Sequence, residues 1–159
     1  MGSCSSNAAG WTRVPPPCCC GCQHYRAVKM ELNTHPMESG GNKFLIDAGN
    51  FVAATIEDKE HYAVLVYVVC GKCGKENRRT YELIDDVGKD SRWGYYDGLY
   101  YEQTLADTKL NVSYEKVEDI FRGMPEKFEL ASACDNNWAR DFFDRVYDRS
   151  SNGCAHELY

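Results

Sequence analysis

The sequence predicts an α+β domain: a small antiparallel sheet packed on helices that come late in the chain, preceded by a disordered arm. Three observations carry this. Residues 61–69, His61-Tyr62-Ala63-Val64-Leu65-Val66-Tyr67-Val68-Val69, are β-branched, aromatic and almost continuously apolar, the pattern of a central buried strand. After the polar connection 70–77, Arg78-Arg79-Thr80-Tyr81-Glu82-Leu83-Ile84 returns with alternating character, so the pair reads as an antiparallel hairpin. Beyond residue 113 the apolar spacing becomes helical, at Val117, Ile120, Phe121 and Met124 and then along 138–147. Strands first and helices last imply an α+β layering.

The elements follow in order. Residues 1–41 carry Pro15-Pro16-Pro17, Gly21, Pro36 and Gly40-Gly41 with few apolar residues in any period, and read as a disordered arm. Short β elements are expected at Lys43-Phe44-Leu45-Ile46 and Phe51-Val52-Ala53-Ala54-Thr55-Ile56, separated by Gly49-Asn50. After the hairpin, the aromatic stretch 93–101 is too interrupted by glycine for a helix and reads as a loop or short strand. Its Trp93, Tyr95, Tyr96, Tyr100 and Tyr101 either line a cleft or fill the space between sheet and helices. Ser113 caps a helix that Gly123 and Pro125 end. A second helix carries Trp138, Ala139, Phe142, Phe143, Val146 and Tyr147 on one face, with Cys134 or Asp135 at its amino end. The boundaries are an arm at 1–41, one folded domain at 42–149 and a tail at 150–159.

The chain has 159 residues and a formal net charge of −6, with acids and bases interspersed along its body. That leaves core material for a single domain and gives no basic surface, so nucleic acid is not an expected partner. No apolar run approaches the length of a membrane span and no secretory signal opens the chain, so a cytoplasmic setting with reduced thiols is expected. Of the nine cysteines, five fall within the first 22 residues. An odd count gathered in an arm fits lipidation better than a disulfide framework.

Met1-Gly2-Ser3-Cys4-Ser5-Ser6 fits the N-myristoylation pattern, with Gly2 as the myristate acceptor and Cys4 placed for a palmitate. One myristoyl chain binds membranes marginally, so a second signal is needed, and Cys18, Cys19, Cys20 and Cys22 are four further thioester candidates. The expected partner of the arm is therefore a membrane surface; a plain cysteine-containing tail is the alternative.

Two groups of residues carry candidate chemistry. Cys70-Gly71-Lys72-Cys73-Gly74 has the form of a zinc knuckle, two thiolates on a tight turn with glycines that let backbone approach the sulfurs. It is half a site, and among Cys134, Cys154, His61 and His156 the pair Cys154-Ala155-His156 is the expected completion. Two idle thiols, or a redox pair, are the alternatives; redox chemistry prefers its first thiol at a helix N-terminus. The second group is His61, opening the central strand, and Cys134, opening the second helix, where the helix dipole favours thiolate and His61 acts as base. Glu82, Asp85 or Asp86 would orient the imidazole, and a strand-edge histidine with a buried apolar cysteine is the competing reading.

The order of a histidine opening a core strand, a returning strand, a helix from Ser113-Tyr114-Glu115-Lys116-Val117, and Phe128-Glu129-Leu130-Ala131-Ser132-Ala133-Cys134-Asp135-Asn136-Asn137-Trp138 resembles permuted papain-like thiol proteins. These include the lecithin:retinol acyltransferase-like, NlpC/P60 and PPPDE (desumoylating isopeptidase-like) groups. The resemblance spans residues from about 58 to 148. It implies a papain-like, NlpC/P60-type domain in which His61 matches the base, Glu82 the orienting residue, and Phe128 and Leu130 the Tyr-x-Leu element. Three positions before Trp138 stands Asp135, with the thiol one residue earlier at Cys134, so the resemblance implies either a shifted turn or a divergent, inactive member.

The function expected is a membrane-associated cysteine hydrolase or acyltransferase, acting through Cys134, His61 and Glu82 on an acyl, thioester or isopeptide carbonyl of a lipid or peptide. It requires no cofactor, although the Cys70/Cys73 knuckle offers a zinc site. The alternative is a non-catalytic, lipid-anchored binding or scaffold module of the same fold.

Overall fold

The computed structural model describes residues 18, 20–21, 24–36, 60–84, 87–95, 103–126 and 135–152. They form an α+β unit in the order β1 (Tyr25–Pro36), β2 (Glu60–Cys70), β3 (Glu76–Ile84), β4 (Gly88–Trp93), β5 (Gln103–Ser113), α1 (Tyr114–Gly123) and α2 (Asp135–Asn152). The sheet is antiparallel with strand order β4-β3-β2-β1-β5, and β2 is its middle strand, as its apolar run predicts. The hairpin of β2 and β3 also forms as expected, with Ala63 opposite Glu82 and Val69 opposite Glu76.

Two strands differ from the sequence expectation. Residues 25–36, read as part of the arm, form β1, which pairs with both β2 and β5. A bulge between Ala27 and Lys29 explains why its period was hidden: the extra residue moves the inward set from Tyr25 and Ala27 to Met30 and Leu32, which breaks strict alternation. Residues 103–113 form β5, the other neighbour of β1; its register against β1 shifts twice, and its polar outward residues gave no strand pattern. The expected elements at 43–46 and 51–56 lie outside the described residues. The tail boundary also moves, because α2 continues to Asn152.

Both helices cover one face of the sheet. Ser113 caps α1 through its Oγ, which accepts from the Lys116 backbone N–H at 3.4 Å. At the other end of α1, the Lys89 ammonium donates to the carbonyls of Phe121, Arg122 and Met124 at 3.1, 2.8 and 3.0 Å, groups a helix terminus leaves without intrahelical partners. In α2, Trp138, Ala139, Phe142 and Val146 are buried, whereas Tyr147 is 47% exposed and leaves the expected face. Trp138 stacks on Phe142 at 5.6 Å between ring centroids, and Phe142 meets Tyr81 of β3 at 4.8 Å. Trp93 closes this core at the end of β4. Among the described residues no helix is long and apolar enough to cross a membrane.

The opposite face of the sheet mixes polar side chains with Ala63 and Leu65 and is still largely buried. Alternation along β1, β2 and β3 puts Asn33, His35, His61, Thr80 and Glu82 there, and all but His61 are under 3% exposed. Asn33 donates to the Tyr95 hydroxyl at 2.7 Å and accepts from Thr104 at 2.8 Å, while Tyr95 reaches His35 Nε2 at 3.1 Å.

Candidate functional site

Four cysteine sulfurs converge at one end of the sheet. Cys70 ends β2, its N–H donating to the Lys75 carbonyl at 2.9 Å, and the chain then turns so that the Gly74 N–H donates to the Cys70 carbonyl at 2.8 Å. Gly74 has φ of +72°, a conformation that costs glycine nothing, and the turn brings Cys73 back towards Cys70. A second turn faces it: the Gly21 N–H donates to the Cys18 carbonyl at 2.9 Å, and Gly21 has φ of +69°. The Gly71 N–H, donating to the His24 carbonyl at 2.9 Å, joins the two.

The result places the Sγ atoms of Cys18, Cys20, Cys70 and Cys73 within 4.8 Å of one another. Cys18 and Cys20 are 3.4 Å apart and Cys20 and Cys70 3.6 Å. Four thiolates at Zn–S bonds of about 2.3 Å in a tetrahedron have sulfur–sulfur edges of about 3.8 Å, so the cluster has the size and donor set of a four-sulfur metal site. None of the four is joined in a disulfide. Cys18 and Cys70 are buried in the core, Cys20 is partly covered and Cys73 is exposed. The Lys75 backbone N–H held on the Cys73 sulfur lowers that thiol below its ordinary value, which favours the ligating form. Beside the cluster, the Tyr25 phenol is pushed up to about 12, first by burial and then by the charges of Cys18 and Cys70, against the opposing hydrogen bond from Asn77.

The Cys70/Cys73 half of this cluster is legible in the sequence; its completion is not the one expected. The second pair of sulfurs is Cys18 and Cys20, read from sequence as thioester candidates in an unstructured arm, while Cys154 and His156 lie outside the described residues. The available signal was Cys18-Cys19-Cys20-Gly21 itself, a second closely spaced thiol pair followed by glycine, as in Cys70-Gly71-Lys72-Cys73-Gly74.

The second predicted group is brought together in part. His61 Nε2 lies 2.8 Å from Glu82 Oε2 across β2 and β3, so the carboxylate expected to orient the imidazole does touch it. Glu82 is 1% exposed at its side chain and gives its other oxygen, Oε1, to the Arg92 guanidinium, which also reaches Asp90 at 3.2 Å. Cys134 lies outside the described residues, as do Gly2, Cys4, Asp85, Asp86, Phe128 and Leu130. The helix that Cys134 precedes packs through Trp138 and Phe142 on the Tyr81 face of the sheet, whereas His61 and Glu82 occupy the other. No protein-family model, curated protein or solved structure matches the chain.

Proposed function

We propose that the protein is a zinc-stapled binding module tethered to a membrane by its acylated amino terminus. The observation that carries the staple is the convergence of the Cys18, Cys20, Cys70 and Cys73 sulfurs within 4.8 Å. Zinc is the metal the donors favour, since four thiolates in a tetrahedral array suit a closed structural site with no open position for substrate. Bound there, zinc joins the root of the amino-terminal segment to the β2–β3 turn. The tether rests on Gly2 and Cys4, which lie upstream of Cys18 in a myristoylation pattern. Elemental analysis of purified protein should give one zinc per chain, and Gly2→Ala should move the protein to the soluble fraction of cells. Far less than one zinc, or a native N-terminus without an acyl group, removes the corresponding half of the reading.

A second reading keeps the papain-like cysteine hydrolase or acyltransferase, with Cys134 as nucleophile, His61 as base and Glu82 orienting it. What favours it is the 2.8 Å contact between His61 and Glu82, which supplies a fixed tautomer and a partner for an imidazolium. Against it stands α2 on the opposite face of the sheet. An electrophilic acyl probe distinguishes the two: the enzyme requires Cys134 to label faster than Cys154 and to slow in His61→Ala, and equal rates leave the binding module.

A further inference from the structure

We propose that the four-cysteine cluster is a peroxide-sensitive release for the amino-terminal segment, and that its oxidised product is a disulfide between Cys70 and Cys73. The inference rests on the zinc-staple reading and adds to it how the staple opens. Exposure within the cluster is unequal: Cys73 is on the surface and Cys18 and Cys70 are buried, so a small oxidant from solvent meets the Cys73 sulfur first. The Cys73 thiolate attacks a peroxide oxygen, giving a sulfenic acid and hydroxide. A neighbouring thiolate then displaces hydroxide from that sulfur. Two electrons leave the thiolate pair, peroxide is reduced to two hydroxides that take up protons as water, and one S–S bond forms.

Which thiolate resolves the sulfenic acid decides the consequence. A bond from Cys73 or Cys70 to Cys18 or Cys20 would keep the two turns joined after the metal had gone. A bond from Cys70 to Cys73 leaves only Cys18 and Cys20 as ligands, too few for a structural zinc site, and releases the segment before β1. All four sulfurs lie within 4.8 Å of one another and Cys20 stands 3.6 Å from Cys70, so reach alone does not choose, and loop length decides for the second outcome. The turn closed by the Gly74 N–H on the Cys70 carbonyl at 2.8 Å already folds Cys73 back towards Cys70, with only Gly71 and Lys72 between them, so this disulfide closes a far shorter loop than any bond from the turn to Cys18 or Cys20. Cys20, in contrast, reaches Cys70 from a separate segment held by the hydrogen bond from Gly71 to the His24 carbonyl.

The test uses the full chain with its metal content measured first. Fewer than one zinc per chain ends the staple reading, and this inference with it. With one zinc bound, hydrogen peroxide should release it into a chromogenic chelator in step with loss of two thiols. Peptide mapping should find Cys70 joined to Cys73, with Cys18 and Cys20 recovered alkylated. Amide exchange at Gly21 and Gly71 should rise at least tenfold on oxidation and return when a dithiol reductant and zinc are added. Zinc retained under peroxide, or a disulfide linking Cys18 or Cys20 to the β2–β3 turn with exchange unchanged, overturns the release while leaving the staple in place.

Discussion

The sulfur of Cys20 stands 3.6 Å from that of Cys70, although the two are separated by fifty residues of chain. A contact of that span closes β1 and β2 into one loop and ties the first described residues to the end of the middle strand. A metal bound there stabilises the fold in proportion to its affinity, about 2.7 kcal/mol when free zinc is a hundred times its dissociation constant. Cys18→Ser and Cys70→Ser should each lose the zinc and that stability, and Cys154→Ser should lose neither. Thermal unfolding with and without a strong chelator checks this, and a melting temperature indifferent to the chelator in the wild type counts against a structural metal.

Glu82 is a buried carboxylate held by His61 on one oxygen and Arg92 on the other. Replacing it by glutamine keeps the shape and removes the charge that faces both His61 and Arg92, while Arg92 keeps its contact with Asp90. The cost should be about 2 to 3 kcal/mol, below the figure for a fully buried pair because Arg92 and His61 keep some access to water. Urea unfolding measures it. A loss under about 0.5 kcal/mol would class the contact with ordinary surface pairs.

Legibility in the sequence followed how local each signal was. The β2–β3 hairpin and α1 with its Ser113 cap were readable because each carries its own pattern: a dense apolar run, an alternating return, a cap three residues before its acceptor's partner. The hairpin left Glu82, Asp85 and Asp86 as candidates for His61, and only the register of the folded sheet, with Glu82 opposite Ala63, sets Glu82 diagonally beside the imidazole. β1 and β5 were not readable, because bulges shift their inward positions and both draw their stability from pairing with strands distant in sequence. The metal cluster was half readable for the same reason: spacing announces Cys70 and Cys73, but only the fold brings Cys18 and Cys20 to them.

Lys89 places one ammonium on three carbonyls at the end of α1 and on the Glu126 carboxylate at 2.9 Å, with its side chain 8% exposed. Lys89→Met preserves the aliphatic stem and strips every one of those hydrogen bonds. A loss of about 2 to 3 kcal/mol is expected, the range for hydrogen bonds to a charged group with acceptors left poorly satisfied. Amide exchange should rise first in the last turn of α1; uniform protection along that helix would show the ammonium to be dispensable.

Tyr81 tests the core through its ionisation. Its phenol is wholly buried between α1 and α2, donating to Glu118 at 2.5 Å, and burial first, then the Glu118 charge, raises it well above the ordinary tyrosine value. At neutral pH, Tyr81→Phe should cost about 1.5 to 2 kcal/mol, the worth of a hydrogen bond to a carboxylate that keeps Arg79 as a partner. The sign at alkaline pH follows from the raised value. Below pH about 10 both folded and unfolded chains hold the proton and the contribution of Tyr81 is complete; above it the unfolded chain loses the proton while the folded chain keeps it. Stability then falls as pH rises, by about 1.4 kcal/mol per pH unit for this one group. Tyr25 and Tyr114, also raised chiefly by burial, add the same slope to wild type and variant alike. The two stability curves should therefore run parallel up to about pH 10 and converge roughly one unit above it. Denaturant unfolding across that range is the measurement, and curves that stay parallel beyond pH 10 would mean that Tyr81 ionises in the folded protein as readily as in water.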